Sequence, residues 1–337
     1  MSILKVRFGE GKALKIISGT KAVSFKDWGM KESDVEDFVT ENISAVMGED
    51  TGLLIVGEQV VDEAGKKNDL VALDSDGSLV LIEIKRDKAD MESRHEQLEF
   101  QAIRYCASLA TITTIDQLVD VMASKYFAAH DAGYKGDRPI EERAKGKIED
   151  FLQGNGSLDD FNEKQRIVLI SSGYDDSTKS ACAWLVKSGV DITLVQLQPV
   201  EVDGDMQIDV KQIMPPDSLE DSFVPFKEGE KKPGSSPKGD HQRKSLPRMA
   251  DLFEWGIVKP GDAVYLRGRR EASLAKVVDS STVEFKGSEM TFNEWGNLVT
   301  GWSATPIYDV TFLDGQSDPK SLAQMRTEYM LSHKEKD

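Results

Sequence analysis

The stretch DLVALDSDGSLVLIEIKR, residues 69–86, decides how the rest of the chain reads. Two apolar runs flank Ser75-Asp76-Gly77, the turn chemistry of a β-hairpin. The second run, LVLIEIKR, nevertheless carries Glu83 and Lys85, and the first begins at Asp69. Alternate residues of a strand leave the same face, so Glu83 and Lys85 share one side. Ions on an otherwise apolar strand are costly unless they serve chemistry. Fourteen positions separate Asp69 from Glu83, so a hairpin can set the two carboxylates side by side. Mg²⁺ takes hard oxygen ligands, usually one or two carboxylates with water and phosphate. A neighbouring lysine can orient the attacking water and steady charge that builds on a phosphate.

Outward from the hairpin the pattern is mixed α/β. Ser33 reads as an N-cap with Glu36 completing a capping box, followed by Val35, Phe38, Val39, Ile43 and Val46 at helical spacing. LLIVGEQVV, residues 53–61, reads as a strand, and MESRHEQLEFQAIRYCASLA, residues 91–110, as a helix. Two weaker helical stretches follow, TIDQLVDVMASKYFAAH and ERAKGKIEDFLQG. RIVLISS, STKSACAWLVKSG and DITLVQLQPV then form a strand–helix–strand unit. There is no internal repeat, and the early GEGK lacks the spacing of a phosphate-binding loop. Asp74, Asp76 and Glu99 read as turn and surface charges.

The chain has 337 residues, enough for two domains, with 39% hydrophobic and 30% charged residues. No apolar run approaches the roughly 20 residues that cross a bilayer, and MSILKVRFGEGKALK lacks the features of a secretory leader. Cys106 and Cys182 stand far apart, without metal-ligand spacing. The cytoplasm, with no membrane partner, is the expected location. His95, His130, His241 and His333 form no zinc or Ser-His pattern. The net charge of −17 counts against nucleic acid as a partner, but a local basic groove can exist inside an acidic whole.

KEGEKKPGSSPKGDHQRKSLPR, residues 227–248, is such a local reversal, and its Pro, Gly and Ser content marks a linker. The expected division is therefore 1–220, a linker at 221–246, and a small α+β unit at 247–337. The last unit opens with a short helix, turns at Pro260-Gly261, and passes through short strands to a helix near Phe292–Val299. Trp255, Trp295 and Trp302 read equally as its core. Arg267, Arg269 and Arg270 on a turn suit phosphate contacts or a solvated tip.

The hairpin's D-x(13)-E-I-K, after an acid-bearing helix, resembles the PD-(D/E)XK nuclease superfamily, with Asn68 where the proline stands. The resemblance is strongest to the branch of archaeal-type mismatch- and flap-cutting endonucleases, closely over residues 33–110 and in outline to 200. It implies a restriction-endonuclease-like mixed sheet flanked by helices and a Mg²⁺-dependent deoxyribonuclease, with Mn²⁺ as a substitute metal. It implies further that Asp69, Glu83 and the Ile84 carbonyl hold the metal and that Lys85 positions water. Glu36 matches an upstream acid, and Gln101 with Tyr105 a Q-x-x-x-Y motif on the following helix. Arg104 and Tyr105 are expected near DNA. The C-terminal LFEWGIVKPGD, ASLAKVVDSSTVEFKG and Gly301-Trp302 resemble the RAMA domain, thought to read methylated adenine, which makes Trp302 a candidate pocket wall. Tyr308 is the best match for a second aromatic there. Together the resemblances imply a DNA endonuclease of restriction type whose target choice depends on modification. A repair nuclease for mismatched or branched DNA, and a silent DNA-binding protein, remain alternatives, and a homodimer remains open.

Overall fold

The computed structural model describes residues 4–8, 14–19, 21–61, 68–92, 97–130, 136–202, 204–216, 223 and 246–334. Most of the linker expected at 221–246 lies outside these residues. In chain order the first unit comprises strands β1 (Leu4–Phe8), β2 (Leu14–Gly19) and β3 (Lys21–Ala22), then helices α1 (Glu32–Glu41) and α2 (Ile43–Met47). Strands β4 (Leu53–Glu58), β5 (Leu70–Asp74) and β6 (Leu79–Lys85) follow. Next come α3 (Lys88–Glu92), α4 (Leu98–Leu109), α5 (Ile115–Leu118), α6 (Ser124–His130) and α7 (Ile140–Asn155). The unit closes with β7 (Gln165–Ser171), α8 (Asp176–Lys187), β8 (Asp191–Val202) and β9 (Asp205–Met214).

β4, β5 and β6 form an antiparallel meander, and β7 and β8 continue the sheet in parallel from β6. β3 and β9 add antiparallel partners to β8, so the chain is mixed α/β as expected. Both faces of the sheet are covered. Leu79 and Leu81 of β6 enter one apolar cluster with Ala102 and Leu109 of α4 and Phe151 of α7. Val80, Ile82 and Ile84 enter another with Val35 and Val39 of α1. This two-sided burial explains why β6 reads as a continuous apolar run and not as an alternating one. Glu83 and Lys85 continue the odd-numbered series that begins with Leu79 and Leu81.

Several local expectations are corrected. α1 begins at Glu32 after Lys31, whose backbone N–H donates to Asp34 Oδ2 at 2.7 Å, so Ser33 and Glu36 do not form the capping box. The helix expected over 33–47 breaks at Asn42. The helix expected over 91–110 is represented by α3 and α4, with residues 93–96 outside the described chain. Strand β4 stops at Glu58, because Gln59 turns into the left-handed region (φ 48°). β9 was not foreseen.

The second unit comprises α9 (Met249–Glu254), β10 (Ala263–Leu266), α10 (Arg270–Ser273), β11 (Ala275–Val277), β12 (Thr282–Phe285) and β13 (Ser288–Thr291). It continues with α11 (Phe292–Thr300), α12 (Ile307–Val310), β14 (Thr311–Leu313) and α13 (Leu322–Lys334). Its five strands form an antiparallel sheet in the order β13-β12-β11-β10-β14. Trp295 is fully buried and donates its indole N–H to the Ser273 carbonyl at 2.9 Å.

This unit does not hang free. β4 is an edge strand of the large sheet, and Ala304 pairs with its first residue. Leu53 N–H donates to the Ala304 carbonyl at 3.0 Å, Ala304 N–H donates back at 2.9 Å, and Ile55 N–H donates to Ser303 Oγ at 3.0 Å. Tyr308 donates to Glu49 Oε2 at 2.7 Å, and the Arg326 guanidinium donates to Asp50 at 2.9 Å while lying over the Tyr308 ring. Trp302 meets Phe151 edge-on, with centroids 4.9 Å apart. A side chain at Gly154 would begin 2.9 Å from the Trp302 ring, so glycine is what lets the indole close on α7. Gly154→Val is accordingly expected to destabilise the full-length protein by about 1–3 kcal/mol through overpacking. Chemical denaturation compared with the wild type measures this, and an unchanged midpoint would contradict the seal.

Candidate active site

The pairing of β5 with β6 sets Leu70 opposite Ile82; one step further along, Asp69 comes opposite Glu83. The strand spacing thus does what the sequence pattern demanded. Asp69 Oδ2 accepts from the Ile84 backbone N–H at 2.7 Å and from Lys85 Nζ at 3.1 Å. Lys85 Nζ also donates to the Ile84 carbonyl at 2.6 Å and lies 3.6 Å from Glu83 Oε2. Gln101, reaching down from α4, donates to the same Glu83 oxygen at 3.2 Å. Asp69, Glu83, Ile84, Lys85 and Gln101 are therefore brought together.

The opposite wall comes from α1. Glu32 Oε1 accepts from Lys85 Nζ at 3.3 Å. One helical turn on, Glu36 accepts at 2.8 Å from the side chain of Gln59. The Gln59 backbone N–H donates to the Asp69 carbonyl at 2.9 Å, so the strained residue ties α1 to the hairpin. Glu32 and Gln59 are functional candidates that sequence reading missed. Asp87 is a third: its buried carboxylate accepts from the N–H groups of Phe25 and Lys26 and from Ser172 Oγ, fixing the 24–30 loop against the end of β6.

Acids around one ammonium in a half-closed site must repel one another. Burial, then the charge of Asp69, pushes the Glu83 pKa up to about 8 against the pull of Lys85. Burial, then Asp69, likewise raises Glu36 to about 7. For Glu83 the folded state holds a proton more tightly than the unfolded chain, whose ordinary value is 4.5. The stability this contributes is full below about pH 4.5 and is lost as pH rises towards 8. The melting temperature of the metal-free protein should fall across that window, and Glu83→Gln should flatten the fall. Melts in chelator from pH 5 to 9 read the difference; parallel profiles would refute it.

A divalent cation can be tested against these groups. Asp69 Oδ2, the Ile84 carbonyl and Glu83 Oε2 already converge on a positive centre, the Lys85 ammonium. Glu83 Oε1 is buried with no hydrogen-bond partner. Among the described residues no three His, Cys, Asp or Glu side chains gather as a metal-binding group. The protein's own share is two carboxylates and one carbonyl, a donor set that fits Mg²⁺.

The expected DNA-contacting residues lie elsewhere. Tyr105, expected near DNA, is 4% exposed and belongs to the core cluster beneath α4. Arg104, on the same helix, is exposed. Arg267 and Arg270 are exposed but engaged: Arg267 donates to the Asp309 carbonyl at 2.8 Å, and Arg270 pairs with Asp314 at 2.6 Å. Arg269 is half-buried. Trp302, 7% exposed against Phe151, walls no open pocket in this arrangement, and Tyr308 is fully buried beside Glu49. Glu99, expected at the surface, is buried with Oε2 unpartnered, and burial raises its pKa. Among the described residues no helix is long and apolar enough to cross a membrane. No protein-family model matches the chain, and no curated protein matches it.

Proposed function

We propose that the protein is a Mg²⁺-dependent DNA endonuclease with a restriction-endonuclease-like fold, of restriction type, whose target choice is influenced by base modification. The observation that carries the reading is the convergence of Asp69, Glu83 and the Ile84 carbonyl on one cationic point beside Lys85. Asp69, Glu83 and the Ile84 carbonyl would hold the metal, with Mn²⁺ able to replace Mg²⁺. Bound there, the ion supplies Lewis acidity to the phosphate and lowers the pKa of water.

The chain's own residues do the remainder. Lys85 brings a positive charge to the place where the phosphate gains negative charge, in a site largely shielded from solvent. Gln101 holds the Glu83 carboxylate in one orientation. Glu36, steadied by Gln59, adds a carboxylate whose pKa near 7 suits it to exchange a proton with solvent. The product of such hydrolysis is a 5′ or 3′ phosphate and a free hydroxyl, the water oxygen having replaced the sugar oxygen on phosphorus.

A second reading is favoured by one observation. Trp302 is occupied by Phe151 and Gly154, so the C-terminal unit can serve shape and affinity while the substrate is mismatched or branched DNA. Digestion of matched methylated and unmethylated plasmids, and of a branched duplex, by full-length protein with Mg²⁺ separates the two. Preference for the methylated plasmid supports the first; equal cutting of plasmids with preference for the branch supports the second. Absence of metal-dependent cleavage on all three would sink both.

A further inference from the structure

Lys85 stands where a metal would stand. Its ammonium is 2.6 Å from the Ile84 carbonyl, 3.1 Å from Asp69 Oδ2 and 3.6 Å from Glu83 Oε2, the three oxygens assigned above to the cation. A divalent ion and an ammonium cannot share those oxygens, because two cations a few ångströms apart in a shielded site repel strongly. Metal entry therefore requires the ammonium to leave, and its four-carbon stem lets it swing without moving β6. Outside that set Glu32 pairs with Lys85 at 3.3 Å, and Glu36 also feels the charge of Lys85. Glu32 sits on the open side of the site, its side chain 32% exposed where Lys85 is 2% exposed. Glu36, one turn further along α1, is held by Gln59.

Resting on the metal reading above, we infer that Glu32 is a positioning residue that receives the Lys85 ammonium when the cation takes Asp69, Glu83 and the Ile84 carbonyl. In the metal-free protein Lys85 acts as a built-in counter-ion for the carboxylates. On loading, it pivots toward Glu32 and so toward the mouth, where a phosphate arrives. Glu32 touches neither metal nor substrate in this scheme. Its effect on metal affinity passes through Lys85, and that dependence is what distinguishes it from a remote negative charge.

The test is Mn²⁺ binding to the full-length protein, followed by the electron paramagnetic resonance of the free ion, for wild type, Glu32→Ala, Lys85→Met and the double variant. Lys85→Met should tighten Mn²⁺ by about tenfold, since the competing cation is gone. Glu32→Ala should weaken binding by about fivefold in the wild type and by less than about twofold in the Lys85→Met background. Equal weakening in both backgrounds would overturn the inference, leaving Glu32 as bulk charge. A second readout covers a poorly folding Lys85→Met. With lysines carrying ¹³C-dimethyl labels, the Lys85 resonance should shift at saturating Mg²⁺ in wild type and by a clearly different amount in Glu32→Ala, where the displaced ammonium has no Glu32 to meet. A shift of the same size in both proteins would also overturn it. Asp69→Ala tests the underlying site separately: if it binds Mn²⁺ as the wild type does, the metal reading itself fails.

Discussion

Replacing Glu83 with glutamine is expected to lower Mg²⁺-dependent cleavage by at least ~10³-fold, because on the proposed reading it removes a ligand for the charge-stabilising ion. The same change should raise the stability of the metal-free protein near pH 8. The two effects have one origin. Glu83 is fully buried, one of its oxygens has no partner, and burial beside Asp69 opposes its ionisation. A neutral amide of the same shape removes that cost. Asp69→Ala should abolish cleavage equally but with the opposite sign on stability. Its carboxylate is the acceptor for the Ile84 N–H and for Lys85, and stranding buried donors costs about 1–3 kcal/mol each. Plasmid cleavage and melts in chelator at pH 6 and pH 9 give both readings. Wild-type cleavage by either variant would remove the nuclease assignment from this site; matching stability changes would refute the asymmetry.

Ending the chain at residue 220 is expected to yield an aggregating fragment. The sequence suggests two self-sufficient units joined by a tether, and the pairing of Ala304 with Leu53 revises that expectation. Without the C-terminal unit, edge strand β4 loses the hydrogen bonds that cover Leu53 and Ile55 and presents free backbone donors and acceptors. Uncovered edges of this kind invite pairing with other chains. Phe151 loses Trp302, and losing one large apolar contact costs roughly 1.5–3 kcal/mol. With the Tyr308–Glu49 and Arg326–Asp50 contacts gone as well, the total is on the order of 5 kcal/mol, a large part of a domain's usual margin. Size-exclusion chromatography and thermal unfolding of the fragment decide the matter. A monomer that melts as the intact protein does would show the interface to be energetically idle.

The hairpin was readable because its information is local. Ser75-Asp76-Gly77 sets the turn, the turn sets the register, and the register puts Asp69 opposite Glu83. What could not be read depends on helix phase or on distant surfaces. Taking Ser33 as the cap pointed to Glu36, whereas the helix starts at Glu32, and that first residue is the one reaching Lys85. Gln59 carries no sequence signal, since its role follows from a backbone reversal at the end of β4. β9 was missed because its side chains are largely exposed or half-exposed, leaving little apolar alternation. An aromatic such as Trp302 has the same sequence signature in a ligand pocket and in an internal joint. Its packing on Phe151 and Gly154, some 150 residues earlier, leaves no trace in the sequence around it.

The joint at Leu53 also sets a length. β4 and the Gln59 turn after it run from the contact with Ala304 to the carboxylates, so the C-terminal unit grips the end of the strand away from the candidate site. At about 3.3 Å per residue that run covers roughly 20 Å. A duplex touching both places at once must extend across about six base-pair steps at 3.4 Å each. Because the joint is built from paired backbone and a sealed indole, the span behaves as a ruler and not as a leash. If the protein cuts DNA as proposed and the smaller unit engages the same duplex, the phosphate presented to Lys85 would belong to a neighbour at a set offset along the helix.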